Sequence, residues 1–107
     1  MNKWKVFFSQ KAHKDFLSLD SHQKRIVAKA IDKVSSNPLP FTQGGYGIPL
    51  GNKHGFDLTG LCEIKLRGQN LRIIYKLFEK EMIMENIMIG KRSDLEVYYE
   101  TYKRIYN

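Results

Sequence analysis

Midway along the chain the apolar period changes from that of a helix, 3.6, to that of a strand, 2. Between Ile26 and Val34 the residues Ile26, Val27, Ala30, Ile31 and Val34 fall at i, i+1, i+4, i+5 and i+8, one face of a helix. From Leu61 the pattern alternates, with Cys62, Ile64 and Leu66 on one side and Glu63, Lys65 and Arg67 on the other. Helical periodicity followed by a run of strands predicts an α+β domain in which helices cover a sheet.

The remaining elements fit around this switch. Lys3 to Phe8 is aromatic and β-branched and reads as a first strand. Ser9 is placed to cap a helix from Gln10 to about Leu19, with Ala12, Phe16 and Leu19 on one stripe. Asp20 or Ser21 caps the second helix, which Asn37-Pro38 stops because the residue before proline avoids the helical region. The short link between the two predicts an antiparallel helical hairpin. Residues Pro38 to Gly60 hold all three prolines and six of the eight glycines, a long connection that is either functional or partly structured. Asn70 to Phe78 and Met82 to Ile89 continue the strands, joined by Glu79-Lys80-Glu81. Ser93 with Glu96 three residues on is a capping box for a last helix to about Tyr106. That helix carries Leu95, Tyr98, Tyr99, Tyr102, Ile105 and Tyr106 on one broad stripe, for which packing is the plain reading. The expected order is β-α-α-loop-β-β-β-α, with an antiparallel sheet, in a single domain spanning 1–107.

Several function classes fall away at this point. The longest apolar runs are triplets such as Val6-Phe7-Phe8, far short of the ~20 residues of a membrane span, so no membrane partner is expected. No apolar signal segment follows Met1-Asn2-Lys3, and one cysteine cannot form an internal disulfide, so a reducing cytoplasm is the expected location. Cys62 alternates to the core side and reads as a buried thiol. Gly44-Gly45-Tyr46-Gly47 lacks the preceding strand, following helix and Lys-Ser/Thr pair of a phosphate cradle. His13, His22 and His54 lack metal-pair spacing and read as surface residues, and no aspartate shows metal-loop spacing. Neither a metal nor another cofactor is implied.

The charge points to polyanions. Eighteen Lys+Arg against eleven Asp+Glu give +7 and a pI near 9.6. Residues 1–35 contribute +5 and residues 61–92 contribute +3, interleaved with apolar positions, so the charge lies on folded faces. If Gly68-Gln69 is a two-residue turn taking glycine first, Leu66 faces Leu71, Lys65 faces Arg72, and Ile64 faces Ile73. The apolar pairs take the core side, leaving Lys65 and Arg72 opposite each other, with Cβ atoms about 4.5–5.5 Å apart. Like charges so placed are destabilising; a bridging phosphodiester would resolve them, as would two side chains splayed into water. Lys91-Arg92 puts further cations after the last strand, and Tyr98 is the tyrosine nearest them.

The order of these pieces resembles the RelE/ParE superfamily of toxins from toxin–antitoxin pairs. The similar segments are Asn37-Pro38, Cys62-Glu63-Ile64-Lys65-Leu66-Arg67, Leu71-Arg72-Ile73-Ile74-Tyr75, Gly90-Lys91-Arg92, Val97-Tyr98 and Lys103-Arg104-Ile105. The resemblance implies a small twisted sheet with a basic groove and a ribosome-dependent endoribonuclease that cuts mRNA without metal. By motif, the RelE-like lysine of the first hairpin strand falls on Lys65, the next strand's arginine on Arg72, the arginine after the last strand on Arg92, and the helix tyrosine on Tyr98. Glu63 stands where RelE has a second lysine, and the C-terminal histidine of several related toxins is absent.

The chemistry so implied is attack of a ribose 2′-hydroxyl on the adjacent phosphodiester. Arg72 and Arg92 would stabilise the phosphorane, Lys65 would protonate the leaving oxygen, and Tyr98 would stack on or orient a base. Glu63 is a conceivable base, or an exposed carboxylate balancing Lys65 and Arg67. Arg67 and Lys91 would add RNA contacts. The implied partners are the ribosome, mRNA and an acidic antitoxin forming a hetero-oligomer. Competing expectations are a ParE-like inhibitor of DNA gyrase and a non-catalytic RNA-binding module.

Overall fold

The computed structural model describes residues 3–91 and 93–106. After β1 (Lys5–Phe8), the Ser9 hydroxyl accepts the Ala12 N–H at 3.1 Å and opens α1 (Gln10–Leu17). A reciprocal box opens α2 (Ser21–Val34): Asp20 accepts the Gln23 N–H at 2.8 Å, and Gln23 accepts the Asp20 N–H at 3.3 Å. This helix stops before Asn37-Pro38 is reached. The Ser35 and Ser36 hydroxyls donate to the carbonyls of Asp32 and Lys33, each at 2.7 Å, and compete locally with helical hydrogen bonding.

The glycine- and proline-rich connection is ordered. It contains β2 (Ile48–Pro49) and a hairpin of β3 (Asn52–Lys53) and β4 (Phe56–Asp57). The buried Tyr75 hydroxyl donates to the Pro38 carbonyl at 2.7 Å and fastens the segment to the sheet. Gly47 permits this closeness, since a Cβ there would lie 2.2 Å from the Tyr75 hydroxyl.

Strands β5 (Leu61–Leu66), β6 (Leu71–Phe78) and β7 (Ile83–Gly90) form the expected antiparallel meander. The five-stranded sheet runs β1-β7-β6-β5-β2 and is mixed rather than wholly antiparallel, because β1 pairs parallel with β7. Short turns force antiparallel neighbours within the meander; no turn joins β1 to β7, so hairpin connectivity does not fix its direction. The β5–β6 register matches expectation: Ile64↔Ile73, Lys65↔Arg72, Leu66↔Leu71. The turn does not. A 3₁₀ turn over Arg67–Gln69 is closed by Asn70 at φ 53°, so asparagine, which tolerates the left-handed region, takes the place expected of glycine.

Both faces of the sheet are covered. On one, α2 packs Val27, Ile31 and Val34 against Cys62, Ile64, Leu71, Ile73, Tyr75, Met84 and Ile89. On the other, α3 (Asp94–Tyr106) lays Val97 and Tyr98 over Leu61, Ile74 and Met88, beside Leu50 and Leu58. The face of α3 that is buried is Val97, Tyr98 and Thr101; Leu95, Tyr99 and Tyr106, expected on its packing stripe, are about half exposed. Ser93 caps this helix, its hydroxyl accepting the Glu96 N–H at 3.4 Å and donating to the Glu96 carboxylate at 3.1 Å. Arg104 anchors the far end. Its guanidinium meets Asp15 of α1 at 2.6 and 3.1 Å and donates to the Ile87 carbonyl at 2.8 Å.

Among the described residues no helix is long and apolar enough to cross a membrane.

Candidate active site

Three of the sequence-derived candidates form one hydrogen-bonded cluster on the α3 side of the sheet. Glu63 points there because β5 alternates, and β2 pairs across it, Ile48 opposite Glu63. Its carboxylate accepts from the Arg72 guanidinium at 3.2 Å and from the Tyr98 hydroxyl at 3.1 and 3.3 Å. The Arg72 guanidinium also lies 3.3 Å from that hydroxyl and 6.0 Å from the centre of the Tyr98 ring. Asp94, in the first turn of α3, adds a second carboxylate to Arg72.

The electrostatics follow from this packing. Partial burial opposes the Arg72 charge, yet the Glu63 and Asp94 carboxylates outweigh it and raise its pKa. Burial first, and then the Glu63 negative charge, push the Tyr98 hydroxyl up to about 12. Tyr98 is therefore a neutral donor across the physiological range, and Arg72 a fixed cation.

Three expectations change here. Glu63 is 1% exposed, not a solvated carboxylate balancing Lys65 and Arg67. Both of its oxygens are engaged, by Arg72 and by Tyr98. The Tyr98 ring is 3% exposed and offers no free face to a nucleobase. Finally, Lys65 and Arg72 do sit directly opposite each other, but a bound anion is not needed to reconcile them. Carboxylates at Glu63 and Asp94 already neutralise much of the Arg72 charge.

The cations divide between two clefts. Lys65, Arg67 and Arg72 line a cleft of about 220 Å³ at the turn end of the β5–β6 hairpin. Lys91 lines a larger one, about 600 Å³, between α1 and α3. Arg92 lies outside the described residues. Cys62 is buried as its alternation predicts, and burial pushes its thiol up, away from reactivity. No group of three or more His, Cys, Asp or Glu among the described residues is arranged to hold a metal ion.

Sequence reasoning missed two neighbours of the cluster. Asp94 carried no signal beyond a first-turn acid. His54, at the tip of the β3–β4 hairpin, stacks on Tyr98 with ring centres 6.1 Å apart and planes inclined by 29°. His-Gly between two short extended pairs was the available hint of that hairpin.

The fold, a sheet covered by an N-terminal helical hairpin on one face and a C-terminal helix on the other, is similar to that of solved RelE toxins. It superposes on a mutant of the Escherichia coli toxin RelE in the free state with a TM-score of 0.72 and 24% identity, covering 97% of this chain and 99% of that one. A chain of the toxin–antitoxin complex RelBE2 from Mycobacterium tuberculosis matches with a TM-score of 0.68 and 23% identity, over 88% and 97% of the two chains.

In sequence, the chain is 28% identical over 98 residues to the mRNA interferase toxin RelE of Escherichia coli K12, covering 92% of this chain and 93% of that protein. A RelE-like toxin protein of Escherichia coli is 27% identical over 96 residues, 90% of each chain. No protein-family model matches the chain. In sequence and in fold, the chain is similar to the RelE-like toxins.

Proposed function

We propose that this chain is the toxin of a toxin–antitoxin pair and an endoribonuclease that cuts mRNA on the ribosome, in the cytoplasm, by 2′-hydroxyl attack and without metal. The observation that carries this reading is the Arg72 guanidinium. It is fixed by Glu63, Asp94 and Tyr98 directly across the ladder from Lys65, at a cleft that Arg67 also lines. A guanidinium whose position is already determined stabilises charge developing on a phosphorane without reorganising during the reaction. Lys65, in register beside it, donates the proton to the departing 5′-oxygen.

Glu63 and Tyr98 act as positioning residues that hold the Arg72 fork. Arg92 is assigned to the phosphorane, and Lys91 to RNA, by their place after β7 in the sequence. A relative named mRNA interferase, aligned over nine-tenths of the chain, supports the reaction class. Solved relatives in complex with RelB antitoxin support an acidic partner segment folding onto the basic surface.

The test is direct. Ribosomes programmed with mRNA and incubated with the protein should yield fragments cut at the A site, and Arg72→Ala should lower the rate at least ~10²-fold. Intact mRNA together with inhibited gyrase supercoiling would move the assignment to ParE-like inhibition. Salt-sensitive RNA binding with neither effect would leave an RNA-binding module.

A further inference from the structure

Cleavage by a 2′-hydroxyl needs a group that accepts a proton, and both carboxylates of the cluster described above are already held by Arg72. Glu63 is sealed beneath Arg72 and Tyr98; Arg72 is a permanent cation; Asp94 is ion-paired with it. Lys65 is assigned to the leaving group. His54 differs from all of these. Its side chain is exposed, yet its ring is stacked on Tyr98, whose hydroxyl bonds Glu63.

The hairpin that carries His54 is rigidly placed. Phe56 packs on Tyr99 and Tyr102 of α3 with ring centres 5.5 and 5.4 Å apart, and the Tyr106 hydroxyl donates to the Asp57 carbonyl at 3.2 Å. His54 and Gly55 have φ values of 53° and 85°, the two left-handed positions of a type I′ turn, where Asn-Gly is the favoured pair. Asn52 closes the turn by accepting the Gly55 N–H at 3.1 Å. A histidine thus occupies a position where turn stability favours asparagine.

We propose that His54 is the general base of the cleavage reaction, an inference that rests on the endoribonuclease reading. Its neutral imidazole takes the proton of the ribose 2′-hydroxyl as that oxygen bonds to phosphorus. The bond from phosphorus to the 5′-oxygen breaks, and that oxygen takes its proton from the Lys65 ammonium. The products are a 2′,3′-cyclic phosphate and a 5′-hydroxyl, and imidazolium and amine then exchange with water. Tyr98 of α3 faces the imidazole directly, with Glu63 of β5, Arg72 of β6 and Asp94 of α3 behind it. Lys53 and Asp57 flank it on its own hairpin.

His54→Asn is the decisive variant, because asparagine suits the turn and removes the base. Single-turnover cleavage of mRNA on programmed ribosomes is measured from pH 6 to 8.5. The wild-type rate should rise with pH and then level, the profile of a reaction that needs a deprotonated general base. His54→Asn should be slower by ~10²-fold or more, as expected for loss of a general base, and should lack that rise. Added imidazole should restore at least ~10-fold to His54→Gly. A His54→Asn protein with the wild-type rate and pH profile would overturn the assignment and leave the nuclease reading intact. A wild-type protein that leaves ribosome-bound mRNA whole would instead remove the nuclease reading and this inference with it.

Discussion

The Arg72 guanidinium donates to the buried Glu63 carboxylate at 3.2 Å, so two residues that face the same side of neighbouring strands form one charged unit. Removing Glu63 leaves Arg72 with the half-exposed Asp94 as its remaining carboxylate and leaves the buried Tyr98 hydroxyl without its acceptor. Glu63→Ala should destabilise the fold by about 1–3 kcal/mol, read as a lower urea midpoint at unchanged slope. Glu63→Gln retains an acceptor for Tyr98 and should lose less. Equal stability of wild type and Glu63→Ala would mean that the pair does not hold the site together.

Tyr98 predicts a pH dependence of stability. Its hydroxyl is raised from an ordinary value near 10 to about 12 in the folded protein. Below pH 10 both folded and unfolded states keep the proton, and the contribution is complete. Above pH 10 the unfolded chain gives up the proton first, so stability falls as pH rises towards 12, by up to about 2–3 kcal/mol. Tyr98→Phe should flatten that part of the alkaline decline in unfolding free energy. The remaining decline includes Tyr75, whose hydroxyl is also raised by burial.

Much of this was legible in the sequence because the β5–β6 hairpin is local. Alternation and a short turn fixed Lys65 opposite Arg72, and an asparagine in place of glycine at the left-handed position left the register unchanged. Glu63 was harder. Alternation placed it correctly beside Lys65, but its burial depends on α3 arriving from 35 residues downstream with Tyr98 as its partner. Polarity alone read that face as solvated. His54 was least visible, since its contact with Tyr98 depends on how a hairpin of two-residue strands docks on a distant helix. The parallel pairing of β1 was hidden for a similar reason, as no turn joins it to β7.

Arg104 and Asp15 clamp α3 to α1 across 89 residues of sequence. The Arg104 side chain is only 10% exposed, and Asp15 also accepts the Ile89 N–H at 3.0 Å. Arg104→Ala should therefore cost about 3–5 kcal/mol in chemical denaturation. Because α3 carries Tyr98, the same variant should lose hydrogen-exchange protection along α3 before the meander does. Uniform loss across both would contradict a separate clamp.

Gly47 and Tyr75 give a pairwise test of the loop's attachment. Gly47→Ala places a methyl group 2.2 Å from the Tyr75 hydroxyl and should destabilise by about 1–3 kcal/mol. Tyr75→Phe removes the clashing oxygen, so the double variant should lose less than the sum of the two single losses. Additive losses would show that the contact is not what restricts position 47.

The central claim is that Arg72 and its partners serve attack by a ribose 2′-hydroxyl. It is tested most directly by two mRNAs that differ only in a single 2′-deoxy substitution at the nucleotide 5′ to the cut, each bound to ribosomes and treated with the protein. The all-ribose message should be cut to a 2′,3′-cyclic phosphate end and the substituted message should stay whole at that position. Equal cutting of both messages, or of neither, would contradict the account.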